Sequence, residues 1–162
     1  MSENHEKFMT MAIEESRKGL SSGEAPFGSV IVRDGEVIGR AYNTVNSSFD
    51  PTAHAETKVV RETSVRLKTP NLEGSTLYTS CEPCPMCCGS ILNARIGTLV
   101  IAGRGSTLVK LRGQTGERTY NPDRLAEMYH MDLQVIWGVL QEDAELVLAK
   151  YQWILDSKIR QT

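Results

Sequence analysis

The sequence predicts an α/β fold in which a central sheet of five strands is covered by helices on both faces. Short runs rich in β-branched residues alternate along the chain with longer stretches in which apolar residues recur at helical spacing. Such alternation is typical of a sheet packed between helices. No linker divides the 162 residues, so we expect a single domain over residues 1–162.

The first predicted element is a helix over residues 4–20. Phe8 and the apolar residues among 11–13 recur at the spacing of one helical face. Gly19 and Gly23 follow, and glycine commonly ends a helix. The chain is therefore expected to begin with one amphipathic helix.

A β-hairpin is predicted next. Residues 29–33 and 36–42 are two short β-rich runs, and only Asp34 and Gly35 separate them. Asp-Gly is a preferred pair for two-residue hairpin turns, because both positions need a positive φ. The two runs are therefore expected to pair as antiparallel strands.

A polar loop and a second helix are predicted after the hairpin. Residues 43–50 are polar and carry no periodic apolar pattern. Thr52 can act as an N-cap, and the periodicity of residues 53–67 predicts a helix over that range.

The second half of the chain alternates strands with helices. Pro83 and Pro85 mark the start of a helix, since proline is favoured in the first helical turn. A stretch rich in Gly, Thr and Arg predicts a long loop. In chain order the predicted elements are a strand at 76–79, a helix reaching Arg95, a strand at 98–102, the loop at 103–123, a short helix at 122–130, a strand at 133–139 and a helix at 142–159.

Composition and charge exclude several classes of protein. The chain is 40% hydrophobic and 23% charged, which is typical of a soluble globular protein. Its net charge of −2 argues against a non-specific nucleic-acid-binding protein, which needs an excess of basic side chains. No run approaches 18 apolar residues, so we expect no membrane span. Residues 1–7 are polar and lack the apolar core of a secretory signal, so we expect a cytoplasmic location.

The motifs that carry chemistry lie at the starts of two predicted helices. His54 opens one, and Cys84 and Cys87 open the other. In a reducing compartment such cysteines are expected to be ligands or core residues rather than disulfides. One imidazole nitrogen and two thiolates suit Zn²⁺, and three protein ligands leave a fourth position for water, as in a catalytic site. Zinc lowers the pKa of bound water to about 7, so hydroxide becomes available at neutral pH.

The helix starts suit this chemistry. Free N–H groups and the positive end of the helix dipole favour the thiolate forms of Cys84 and Cys87. Glu56 lies two residues after His54, which turns its carboxyl away from the ligand direction but keeps it within reach of the bound water. A carboxyl in that place can take the proton of the water and pass it to a ring nitrogen or a leaving amine.

The residues leave other interpretations open. The pair Cys84 and Cys87 could form a redox couple. Cys81 could instead join them and His54 in a closed structural zinc site, which would suit a zinc-stabilised binding module rather than an enzyme. A closed site would leave the neighbouring glutamate without a role. An iron–sulfur cluster is disfavoured, because the fourth cysteine position of that spacing is Ile91.

Together the two motifs match the pattern H-x-E…P-C-x-x-C, which is the signature of zinc nucleobase deaminases. On these residues the sequence resembles the cytidine-deaminase-like superfamily, and within it the branch of guanine deaminases and tRNA adenosine deaminases. Residues 50–56, DPTAHAE, are similar to a run that both groups share. Residues 76–87, TLYTSCEPCPMC, are closer to guanine deaminases, in which Ser-Cys-Glu precedes the Pro-Cys pair. The resemblance covers residues 5–103.

The resemblance implies a fold, a cofactor and a reaction. The implied fold is a three-layer α-β-α arrangement around a central mixed five-stranded sheet. One zinc ion per chain is held by His54, Cys84 and Cys87. Glu56 shuttles the proton in a hydrolytic deamination, in which hydroxide attacks the amino-bearing ring carbon, a tetrahedral intermediate forms and ammonia leaves.

The resemblance also implies a substrate pocket and a partner. Phe27 packs on the ring and Asn43 hydrogen-bonds the base. The N–H of Ala55 binds a ring carbonyl or nitrogen, and the backbone carbonyl near Ser80 accepts from the departing amino group. A guanine-like purine base is the favoured substrate. A tRNA wobble adenosine, which the acidic balance disfavours, and a cytosine- or cytidine-type pyrimidine stay open. Members of the family commonly form homodimers, so we expect one here.

The segment 104–124 departs from guanine deaminases. Five basic side chains against two acidic ones give it a local charge of +3. Such a segment is usually a solvated loop. We hypothesise that part of it lines the pocket mouth and selects a substrate other than guanine, for example one that bears an anionic group. Its basic residues are Arg104, Lys110, Arg112, Arg118 and Arg124.

Overall fold

The computed structural model describes residues 2–115 and 120–159, and five strands in it form one mixed sheet. The strands are β1 Gly28–Arg33, β2 Glu36–Tyr42, β3 Ser75–Cys81, β4 Thr98–Gly103 and β5 Gln134–Trp137. Their order across the sheet is β2-β1-β3-β4-β5. β1 pairs antiparallel with β2 and β3, whereas β3, β4 and β5 run parallel. The expected five-stranded mixed sheet is confirmed.

Seven helices occur within the described residues, and helices cover both faces of the sheet. They are α1 Ser2–Ser21, α2 Val45–Ser48, α3 Ala55–Leu67, α4 Pro85–Asn93, α5 Gly105–Leu111, α6 Pro122–Met128 and α7 Gln141–Ile159. α1 and α7 pack on one face, where Phe8, Ile13 and Val100 are buried. α3 and α4 pack on the other face, and Ile91 and Leu99 are buried there. The three-layer α-β-α arrangement is therefore confirmed.

The predicted hairpin is also confirmed. Asp34 and Gly35 connect β1 to β2 with φ values of 53° and 78°. Two positive φ values in succession match the twist of a two-residue hairpin turn, which explains the Asp-Gly pair.

Two glycines let the first strands lie close to helices. A Cβ on Gly28 would lie 2.2 Å from the carbonyl oxygen of Ala12 in α1. A Cβ on Gly39 would lie 2.1 Å from Thr63 Oγ1 in α3. Both distances are overlaps, so only glycine permits this packing. Phe27 directly precedes β1 and therefore lies next to this contact.

The prediction of a polar loop without a helix over 43–50 is wrong, because α2 lies within it. The acceptors for the first N–H groups of α2 come from outside that helix. Asn43 Oδ1 accepts from the N–H of Val45 at 3.1 Å. The buried Glu24 carboxylate accepts from the next two N–H groups of the helix, at 3.1 and 2.7 Å. α2 therefore depends on a carboxylate more than 20 residues earlier in the chain.

The second predicted helix begins later than expected. α3 starts at Ala55 rather than at residue 53, and Thr52 is not its N-cap. The backbone N–H and the hydroxyl of Thr52 both donate to Asp50 Oδ1, at 2.8 and 2.6 Å, which forms an Asx turn. His54 takes the N-cap position instead.

The predicted loop over 103–123 contains a helix, α5, so this prediction is wrong as well. The N-cap residue Arg104 makes no side-chain capping bond. Glu145 Oε1 accepts from the N–H of Arg104 at 3.1 Å, and Glu82 Oε2 accepts from that of Gly105 at 2.8 Å. Carboxylates from α7 and from the turn after β3 thus stabilise the positive end of α5.

The other predicted elements are present with shifted ends. The strand predicted at 133–139 is the shorter β5, and the helix predicted at 122–130 is α6. Within the described part of the chain, no helix has both the length and the apolar character that crossing a membrane requires.

Candidate active site

The candidate site lies where the first residues of α3 and α4 meet. His54 is the N-cap residue of α3, and Cys84 is that of α4, both in an extended backbone conformation. Cys87 follows in the first turn of α4, which begins at Pro85. Because the N-termini of two helices converge, their free N–H groups and dipoles favour negative charge at this place.

Three ligand atoms form a compact triangle. His54 Nδ1 lies 3.5 Å from Cys84 Sγ and 3.6 Å from Cys87 Sγ, and the two sulfurs are 3.5 Å apart. Zn–S bonds of about 2.3 Å and Zn–N bonds of about 2.0 Å place tetrahedral donors about 3.5 to 3.8 Å apart. The sulfurs are too far apart for a disulfide bond, which is about 2.05 Å long. The donor set and its spacing therefore fit a zinc ion.

Hydrogen bonds among the three ligands shift their pKa values in different directions. The hydrogen bond between the Cys84 and Cys87 sulfurs is the main cause that lowers the pKa of Cys84 to about 4, and the bond to His54 contributes. The same hydrogen bond, followed by burial, raises the pKa of Cys87. The bond to Cys84 raises the pKa of the His54 imidazole. A bound zinc ion would take both sulfurs as thiolates.

Two hydroxyl groups support Cys87. Thr57 Oγ1 donates to Cys87 Sγ at 3.4 Å. Ser90 Oγ lies 3.4 Å from Thr57 Oγ1 and donates to the Cys87 carbonyl at 2.8 Å. Hydrogen bonds to metal ligands orient them and tune the affinity for the metal.

Glu56 lies beside the triangle in the first turn of α3 and is only 4% exposed. Burial raises the pKa of its carboxyl, while hydrogen bonds from its own backbone N–H and from Thr79 act in the opposite direction. Thr79 Oγ1 donates to Glu56 Oε1 at 2.8 Å. The charges of Cys84 and His54 also act on this carboxyl, because it lies close to both ligands. Burial therefore favours the protonated form of this carboxyl, and a buried carboxyl beside candidate metal ligands is a candidate proton carrier.

Cys81 is not part of the triangle. His54, Cys84 and Cys87 are the metal-ligating residues, among those described, whose ligand atoms lie within 4.8 Å of one another. Cys81 is buried and packs with Leu108 of α5 and a leucine of α7. The arrangement thus favours three protein ligands over a closed four-ligand site.

The structure brings together three of the residues expected to bind substrate. The N–H of Asn43 donates to the Phe27 carbonyl at 3.0 Å. The N–H of Gly28 donates to Ser80 Oγ at 3.0 Å. Ala55, the fourth expected residue, is buried at the start of α3, where its N–H has no partner within the helix. Their contacts with substrate stay a prediction.

α5 places part of the basic segment near the site. Phe27 packs against the cluster that contains Leu108, and Leu111 packs there as well. Arg112 follows α5 directly and is exposed, and its charge opposes protonation of His54. Arg118 lies outside the described residues. Selection of an anionic substrate by this segment stays a prediction.

Thr79 also belongs to the site, although neither sequence motif includes it among the expected site residues. Within buried β3, Thr79 is fully buried and lies between Leu77 and Cys81 on one face of the strand. A polar residue between two apolar ones on the same face of a buried strand is the sequence signal that could have identified it.

Comparisons with known proteins agree with this site. The chain matches the family model described as the cytidine and deoxycytidylate deaminase zinc-binding region over residues 2–103, more than half of its length. A chloroplastic tRNA(adenine(34)) deaminase of Arabidopsis thaliana is 35% identical in an alignment of 156 positions that covers 90% of this chain and 12% of that protein. The guanine deaminase of Bacillus subtilis (strain 168) is 47% identical over 93 residues, which are 57% of this chain and 60% of that protein. The chain therefore spans less than two thirds of the length of either relative.

A solved structure shows the same fold. A variant of NE0047 in complex with 8-azaguanine superposes with a TM-score of 0.83 at 25% identity, over 93% of this chain and 85% of that chain. The segment matched by the family model contains Glu56 and all three ligands of the triangle. The chain belongs to the zinc-binding cytidine and deoxycytidylate deaminase family.

Proposed function

We propose that this protein is a zinc-dependent hydrolytic deaminase that releases ammonia from an amino-substituted nucleobase, with a guanine-like purine base as its substrate. The observation that carries the proposal is the triangle of His54, Cys84 and Cys87 with the buried carboxyl of Glu56 beside it. Catalytic zinc sites use three protein ligands and leave one position for water, whereas structural sites use four.

His54, Cys84 and Cys87 would hold the zinc ion, which, when bound, lowers the pKa of water to about 7 and so supplies a nucleophile at neutral pH. Glu56 accepts the proton that the water loses and delivers it to the ring nitrogen next to the amino-bearing carbon. The oxygen of the water bonds to that carbon, and its remaining proton passes to the amino group, again by way of Glu56. The carbon–nitrogen bond breaks, ammonia leaves, and the oxygen of the water remains as a carbonyl on the ring.

The pocket residues would orient the ring for this attack. Phe27 offers an aromatic face, and the side-chain amide of Asn43 offers hydrogen bonds to the base. The N–H of Ala55 would bind a ring carbonyl or nitrogen. The backbone carbonyl at Ser80 would accept from the departing amino group.

Two purine substrates are candidates, and different observations support each of them. Similarity to a guanine deaminase, the solved complex of a related fold with 8-azaguanine, and the net charge of −2 support a free guanine-like base. A tRNA adenosine is the second candidate, because the tRNA deaminase of Arabidopsis thaliana matches along 90% of the chain.

An ammonia-release assay tests the proposal. Zinc-loaded protein is incubated with guanine, adenine, cytosine, their nucleosides and a tRNA anticodon stem-loop. We expect release from guanine, and we expect Glu56→Gln to retain zinc but lose at least about a hundredfold in rate. Release from the stem-loop alone would establish the second candidate. No release from any of these compounds, or a fully active Glu56→Gln variant, would overturn the proposal.

The proposal includes a homodimer in the cytoplasm that acts in purine metabolism. Light scattering on the purified full chain tests the oligomeric state, with twice the chain mass of 18.0 kDa as the expected result.

A further inference from the structure

Thr79 connects the Glu56 carboxyl to the central sheet. Its side chain is fully buried in β3. Its hydroxyl lies 2.8 Å from Glu56 Oε1 and 2.9 Å from the Cys81 carbonyl oxygen. Among the described residues, Thr79 is the one whose side chain hydrogen-bonds the Glu56 carboxyl.

The connection restrains a flexible side chain. A glutamate has three rotatable side-chain bonds, and Glu56 lies on a different element from Thr79, on the helix that covers this face of the sheet. The hydrogen bond from a strand in the centre of the sheet therefore fixes Oε1 relative to the ligand triangle. A positioned proton carrier needs this support, because a displacement of about 1 Å costs about a hundredfold in rate.

The hydroxyl of Thr79 is itself fixed at two points. It lies within hydrogen-bond distance of Glu56 Oε1 and of the Cys81 carbonyl oxygen, which belongs to the same strand. The buried threonine side chain cannot move without losing these contacts, so the carboxyl is tied to the backbone of β3.

We propose that Thr79 is a positioning residue for the reaction: its hydroxyl holds the Glu56 carboxyl in place beside the metal ligands. This inference rests on the proposed function, because it takes Glu56 as the proton carrier. It adds a specific dependence on the hydroxyl group of residue 79, which neither valine nor alanine can replace and serine can.

The test compares Thr79→Val, which keeps the side-chain volume, with the matched control Thr79→Ser, which keeps the hydroxyl. We measure kcat and KM for ammonia release from guanine, zinc content, and the position of the Glu56 carboxyl in crystals of the zinc-loaded proteins. For Thr79→Val we expect kcat to fall about 10- to 100-fold with KM within about twofold of the unmodified protein. We expect one zinc per chain in both variants, recovery of most of kcat in Thr79→Ser, and a displaced Glu56 carboxyl in Thr79→Val.

Three outcomes would overturn the inference. The first is a Thr79→Val variant with unchanged kcat. The second is a Thr79→Ser variant as slow as Thr79→Val, because the side-chain shape would then matter rather than the hydroxyl. The third is a crystal structure of Thr79→Val in which the Glu56 carboxyl has not moved. This result would overturn the inference whether or not guanine is the substrate. If Thr79→Val does not fold, Thr79→Ala removes the hydroxyl without placing a methyl group against the carboxyl, and the same criteria apply.

The two proposals can fail separately. Loss of activity in Glu56→Gln together with full activity in Thr79→Val would leave the deaminase proposal intact and remove only the role of Thr79. Absence of ammonia release from every compound tested would remove the deaminase proposal, while the crystal structures would still decide whether Thr79 holds the carboxyl.

Discussion

Gly28→Ala tests the close contact between α1 and the start of β1. The new Cβ would lie 2.2 Å from the carbonyl oxygen of Ala12, 2.3 Å from the nitrogen of Ser16 and 2.8 Å from the carbonyl carbon of Glu15. All three are backbone atoms of a helix, which cannot turn aside as a side chain can. α1 would therefore have to shift by about 1 Å against a close-packed core.

The expected cost follows from this overlap. Overpacking of a core costs about 1 to 3 kcal/mol. We expect about 3 kcal/mol, because helix backbone lies on one side and a strand paired along both edges lies on the other. The shift would also strain the hydrogen bond from the N–H of Gly28 to Ser80 Oγ, and with it the position of Phe27. Gly28→Ala is therefore expected to lose both stability and substrate affinity.

Urea unfolding measures the loss, with Gly97→Ala as the matched control. A Cβ on Gly97 would meet no atom within 4 Å, so this variant is expected to stay within about 0.5 kcal/mol of the unmodified protein. A Gly28→Ala variant that loses less than about 1 kcal/mol, or no more than the control, would refute the packing argument.

Two further substitutions test hydrogen bonds around the site. Thr57→Val removes the bond to the Cys87 sulfur, so we expect zinc affinity to fall about tenfold in competition with a chelating indicator, while Thr57→Ser retains it. Equal affinities of the two variants would contradict this expectation. Burial alone would raise the pKa of Glu24, but hydrogen bonds from Ser47 and Asn46 outweigh it and lower the pKa below 4.5. The ionised carboxylate therefore adds stability above about pH 4.5 that is lost as the pH falls through the lowered pKa. Glu24→Gln should lose about 1 kcal/mol in urea unfolding at pH 7, and the difference should narrow below about pH 4.5. A difference that does not change with pH would contradict the assignment.

The candidate metal site could be predicted because its signals are local. His54 and the pair Cys84 and Cys87 each stand at a helix start, and the sequence marks those starts with proline and with a change from polar to apolar periodicity. The three residues then need only one long-range condition, that the two helix starts meet. The structure satisfies it with donor distances of 3.5 to 3.6 Å.

Helix ends and loops are harder to predict from the sequence, because the groups that stabilise them are distant in the chain. Thr52 has the residue type of an N-cap, yet Asp50 takes both of its donors and moves the cap to His54. α5 has no capping side chain of its own, so its sequence is typical of a loop. Carboxylates 23 and 41 residues away supply the missing acceptors.

The sequence by itself determined the five strands, the hairpin turn and the candidate ligands, because each depends on residues only a few positions apart. Only the tertiary structure decided that α2 and α5 exist and that Thr79 holds Glu56. Those features depend on hydrogen bonds between residues 22 to 41 positions apart, and such bonds form only after strand order and helix packing have brought the groups together. Local patterns contain no information about that order, which is why the partner of Glu56 had to be found in three dimensions.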